Sequence, residues 1–239
     1  MRDQFLFAIA PRLAVLTCLL TAAVRYGRNR RAGEPAETTT RWHEPAEDLR
    51  AWWRYSIAVV ILGHVLAVAS PGVLLLWNRQ ALRLVGLESV GLIAGSIALV
   101  CVVATVLRRR RYMQSPVDVI AATLVVLELV SGLVLAVRYR WASSWSVVTL
   151  TPYLYSLVAP RASVVLLAHM PFVVKLHVFC AFAIIAATPL TVLAGVVMVA
   201  LRDLARLMTT PVTLSWLPVW YARRVWAARA RPPIGDGEM

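Results

Sequence analysis

The chain has 239 residues, 60% of them hydrophobic, and a mean hydropathy of +0.71. Soluble domains hold about 45–50% apolar residues, so this composition excludes an ordinary soluble globule and points to an all-α membrane protein. The net charge of +13 does not imply a nucleic-acid partner, because the arginines sit in blocks between apolar runs rather than along one binding face.

Apolar runs of about 20 residues cross a bilayer core of about 30 Å, and five are present, near 5–24, 52–75, 84–107, 117–137 and 164–201. Nothing between them is long enough to bury its own core, so one membrane domain covers 1–239, closed by a basic tail over 202–239. The N-terminal "MRDQFLFAIAPRL" lacks the layout of a cleaved signal peptide and is expected to remain as the first span. A polar loop over 27–50 follows, and "AEDLRAWW" after Pro45 reads as a helix start with Trp52 and Trp53 at the interface. "SPG" at Ser70–Gly72 predicts a break or kink in the second span. "SPVD" at Ser115–Asp118 opens the fourth, since proline suits the first helical turn. The segment 138–160 carries Trp141, Trp145, Tyr153 and Tyr155, an aromatic belt expected on or partly in the outer leaflet. The fifth run is almost twice the length needed, with Pro171 and Pro189 inside it; a tilt or a kink at Pro189 is expected.

With five crossings, seventeen arginines share one face and six the other. The positive-inside rule then puts the N-terminus outside and the C-terminus in the cytoplasm, as in a multi-pass protein of the cell inner membrane. Cys18, Cys101 and Cys180 fall singly in different spans, without the paired spacing of zinc, cluster or thioredoxin chemistry, and read as small buried hydrophobes.

Polar groups inside spans are expensive, and each is a functional candidate: Arg12, His64, Glu88, Glu128, His169, Lys175 and His177. Bis-histidine ligation of a b-type haem needs one histidine on each of two facing helices at similar depth. His64 lies roughly 10 Å from the outer end of the second span; His177 lies roughly 20 Å along the fifth if that helix starts at Val164. The depths match only if the fifth helix starts a turn or two above the lipid. The alternative is that each imidazole bonds a carbonyl or carboxylate across the bundle. Glu88, near the outer start of the third span, is a candidate proton acceptor or an ordinary interfacial glutamate. Glu128, in mid-span, is expected to be protonated or hydrogen-bonded to another helix.

Four segments in order resemble the gamma subunit of respiratory nitrate reductase, a membrane cytochrome b: "FLFAIAPRLAVLTCLLTAAVRYG", "WRYSIAVVILGHVLAVASP", "RRRRYMQSPVDVIAATLVVLELVSGL" and "MPFVVKLHVFCAFAIIAATPL". The resemblance runs from about Phe5 to Arg231. It implies quinol oxidation, with iron–sulfur and molybdenum-type catalytic subunits at the cytoplasmic face. It makes His64 and His177 the axial ligands of the outer haem b and Arg12 and Lys175 possible propionate partners. Glu88 and His169 become quinol-side candidates. The second ligand pair of the family's pattern is absent: Arg54 stands ten residues before His64, and Gly195 or, by the "TTPV" alignment, Arg206 stands on the fifth span. One haem is therefore expected. A haem-poor anchor or assembly subunit, or a haem subunit of a heterodisulfide- or sulfite-linked reductase, is the alternative.

Overall fold

In lipid every backbone amide must bond within its own segment, so long apolar runs become helices. The computed structural model describes residues 2–32, 47–109, 116–160 and 162–190, and every regular element among them is helical. Helix α1 opens as Arg2–Gln4, widens into a π turn over Phe5–Ile9 and continues as Ala10–Ala32. It is followed by α2 (Glu47–Ala69), α3 (Pro71–Trp77), α4 (Ala81–Arg109) and α5 (Pro116–Arg138). The last three are α6 (Ala142–Ser156), α7 (Val165–Ala168) and α8 (Phe172–Ala187), which ends in a 3-10 turn at Thr188–Leu190.

Among the described residues four stretches are long and apolar enough to cross a membrane: Phe5–Val24, Ala51–Ala69, Ala81–Arg108 and Val119–Arg138. The protein is thus a multi-pass membrane protein. The expected fifth span is not one helix. Its apolar run breaks at His169–Pro171, and α8 is a shorter apolar helix. Residues 191–239, with the rest of that run, Gly195, Arg206 and the basic tail, lie outside the described residues.

Three prolines set the breaks, and α6 repairs two of them. Pro11 has no N–H to give the Phe7 carbonyl one turn earlier. The Ala10 amide bonds Phe5 O instead, forming the π turn, and the Tyr153 hydroxyl donates to Phe7 O at 2.8 Å. Pro71 likewise withholds an amide from Ala67 O, which accepts from Thr151 Oγ1 at 3.1 Å, while the Tyr155 hydroxyl donates to Val68 O. Ser70, at φ −140° and ψ 55°, separates α2 from α3 where the sequence placed the break. Pro171, extended at φ −56° and ψ 152°, starts α8, its carbonyl taking the amides of Val174 and Lys175.

Two expectations about aromatic residues change. Tyr153 is not a belt residue: it is 0% exposed, because its ring fills the core with Phe7, Leu135, Leu167, Val174 and Val178 and its hydroxyl is needed by α1. Trp141 and Tyr155 do remain exposed. At the far end of the bundle Trp52 is exposed, but Trp53 is buried against Ala98, Cys101, Val102 and Leu129. Cys101 and Cys180 are buried and Cys18 partly so, and all three are free thiols.

The extensive helix packing runs in one order, α2 on α4, α4 on α5, α5 on α8 and α8 on α1. Gly95 makes the α4–α5 step close, since a Cβ there would come 3.1 Å from Leu133 Cδ2. The pair α2 and α8 is not among those in extensive contact, and what bridges them is a pair of rings.

Candidate functional site

His64 on α2 and His177 on α8 face each other with ring centroids 6.1 Å apart and planes inclined by 34°. The depth mismatch expected from the sequence disappears, because Pro171 delays the start of α8. His64 now lies five residues before the end of α2 and His177 five residues after the start of α8. At 1.5 Å per residue each imidazole is roughly 8 Å from its helix end.

Hydrogen bonds fix the tautomer of both rings, because a backbone carbonyl only accepts. Nδ1 of His64 bonds Val60 O at 2.8 Å, so Nδ1 carries the hydrogen and Nε2 the lone pair. Nδ1 of His177 bonds Glu128 O at 3.2 Å and Ser131 Oγ at 3.0 Å, with the same result. Ser131 spends its own proton on Glu128 O at 3.0 Å, so its oxygen is free to accept from the imidazole. An Nδ1 anchored to a carbonyl leaves Nε2 as the nitrogen a metal would take, as in metal-binding histidines; in His177 that nitrogen faces Glu128 Oε1.

The wall behind His177 comes from α5. Glu128, Ser131 and Gly132, spaced i, i+3 and i+4, share one helical face. Ser131 is 3% exposed. Gly132 lets the ring approach: a Cβ there would stand 3.1 Å from His177 Cε1. Glu128 Oε1 lies 3.3 Å from His177 Nε2, so Glu128 reaches another helix, while its Oε2 is buried without a partner among the described residues. Sequence reasoning missed Ser131 and Gly132; the signal was "SG" one turn after the mid-span glutamate.

The donor set and the ring separation are those an iron porphyrin would require. His64 and His177 would hold the metal through Nε2; with metal–imidazole bonds of about 2.0–2.1 Å their ring centres would stand roughly 6 Å apart, against the observed 6.1 Å. Beside His64 the flank is open: a Cβ on Gly63 would meet nothing within 4 Å, and His64 itself is exposed. No group of three or more metal-ligating side chains occurs among the described residues; a haem needs only these two.

The other singled-out residues lie elsewhere. Arg12 Nε donates to Leu157 O at 2.9 Å, and its terminal nitrogens reach Ala159 O and Pro160 O, so it holds the carbonyl end of α6. Lys175 Nζ donates to Ala168 O at 2.7 Å and lies 3.7 Å from Asp3 Oδ2. Glu88 Oε1 accepts from Ser143 N at 2.8 Å and Ser143 Oγ at 2.6 Å, placing a carboxylate at the first turn of α6 beside Trp141, whose φ is 66°. His169 is exposed at the end of α7. Arg54 lies partly buried on α2, ten residues before His64.

No curated protein sequence matches this chain. The family model described as the nitrate reductase gamma subunit matches residues 3–213, which takes in every helix described above apart from the first residue of α1, Arg2. The chain therefore belongs to the nitrate reductase gamma subunit family, and with it to the membrane cytochrome b subunits that transfer electrons within nitrate reductase complexes.

Proposed function

We propose that this chain is the quinol-oxidising membrane subunit of a nitrate-reductase-like complex, and that it carries one b-type haem with His64 and His177 as axial ligands. The haem supplies one-electron transfer within the membrane. The observation that carries the reading is the pair of Nδ1-anchored imidazoles with centroids 6.1 Å apart at matched depth. Five crossings, with α8 belonging to the fifth, would put the N-terminus outside and the arginine-rich segments in the cytoplasm. There they face iron–sulfur and molybdenum-type partners across an inner membrane. Arg54 cannot ligate iron, which supports a single haem. His169 is the exposed residue at the α7 end offered to quinol.

Reduced-minus-oxidised absorption spectra of purified membranes test this. One b-type signal is expected, reduced by added quinol and lost in both His64→Ala and His177→Ala. A second reading rests on the contact between His177 Nε2 and Glu128 Oε1, which satisfies the ring without iron. In that case the chain is a haem-poor anchor, and wild-type membranes show no such signal.

A further inference from the structure

We propose that Ser131 is a positioning residue that sets the redox potential of the haem through His177; this rests on the haem reading above. Ser131 Oγ is buried, gives its hydrogen to Glu128 O and so presents a lone pair to His177 Nδ1–H at 3.0 Å. An acceptor on Nδ1–H pushes electron density into the ring and makes Nε2 a stronger donor. A stronger donor favours ferric over ferrous iron, so the serine holds the midpoint low. Among the described residues His64 has no such extra partner: its Nδ1 bonds the carbonyl of its own helix. The two ligands are therefore unequal, and the tunable one is on α8.

The test is an optical redox titration of the membrane-bound complex. Removing the acceptor in Ser131→Ala is expected to raise the ferrous-to-ferric ratio at the wild-type midpoint three- to tenfold. At 59 mV per tenfold for one electron, that is an upward shift of about 30–60 mV. Glu128 O, at 3.2 Å, remains as a weaker acceptor and bounds the change. Ser131→Thr keeps the hydroxyl and should stay near wild type. Ser96→Ala, which removes a hydroxyl bonded within α4 to Leu92 O, should not move the midpoint.

A haem signal in Ser131→Ala with an unmoved midpoint overturns this proposal while leaving the haem reading intact. If Ser131→Ala holds no haem, Ser131→Cys, with a weaker acceptor of similar size, reads the same quantity; loss of haem from both makes Ser131 an assembly residue and also overturns it. Absence of haem in wild type is the different failure, that of the proposed function.

Discussion

Gly132 and His177 are packed so closely that the imidazole occupies the space a methyl group would need, 3.1 Å from Cε1 and 3.6 Å from Nδ1. The helix itself would welcome alanine there, by about 1 kcal/mol. The ring is what forbids it. Gly132→Ala is expected to displace His177 and lower the haem content per mole of protein, with helical content unchanged. Gly91→Ala, on α4 where a Cβ meets nothing within 4 Å, should keep its haem. Equal haem in the two variants would show that the ring moves without cost.

The Tyr153–Phe7 bond predicts a dependence on Pro11. Tyr153→Phe leaves the buried Phe7 carbonyl without a donor, a cost of about 1 kcal/mol, since such bonds in membrane proteins average about 0.6 and orphaned groups cost about 1–3. Restoring an amide in Pro11→Ala gives Phe7 its own helical partner. Tyr153→Phe should therefore lower the unfolding midpoint in the wild type and do so much less in the Pro11→Ala background. Equal losses in both backgrounds would show that the ring's packing, not its hydroxyl, supplies the stability.

The four long spans, the break at Pro71 and the pairing of His64 with His177 were legible because each leaves a local mark: an apolar run, a proline, a lone imidazole. The starting point of α8 was not. The run from Val164 onward is apolar throughout, so hydropathy does not register the turn at His169–Pro171, and the depth of His177 was overestimated for that reason alone. Tyr153 was read as a belt residue because its role depends on Phe7, 146 positions away in the chain. Ser131 escaped notice for a related reason. A serine in a helix usually bonds its own turn, as it does here to Glu128 O, and only the approach of α8 makes its remaining lone pair matter.

Glu88 offers a choice between two roles that one substitution separates. Its carboxylate is committed to the backbone and hydroxyl of Ser143, at the positive end of α6. Such an interaction is worth about 0.3–1 kcal/mol, and neutral glutamine keeps the accepting oxygen while losing the charge. Glu88→Gln is expected to cost that much in thermal unfolding and to leave quinol-driven reduction of the haem at its wild-type rate. Slowed reduction at unchanged haem content would instead make Glu88 the proton acceptor for quinol.

Lys175 stands two residues before the ligand His177, on the first turn of α8, and its ammonium is bound to the carbonyl of Ala168 across the break. That bond ties the end of α7 to the start of α8, which is the joint that brings His177 to the depth of His64. The Asp3 contact adds little, since that carboxylate is about half exposed and ion pairs of this kind contribute about 0–1 kcal/mol. Lys175→Met should therefore lower the unfolding midpoint by the equivalent of about 1.5–3 kcal/mol for a lost charged hydrogen bond, with Lys175→Arg intermediate, and leave the haem midpoint potential where it was. A cation serving a propionate behaves in the opposite way. Deleting it removes positive charge beside the iron, which favours the ferric state and lowers the potential without loosening the α7–α8 joint. The two measurements on one variant thus decide whether the lysine holds the backbone or the cofactor, and the bond to Ala168 O argues for the backbone.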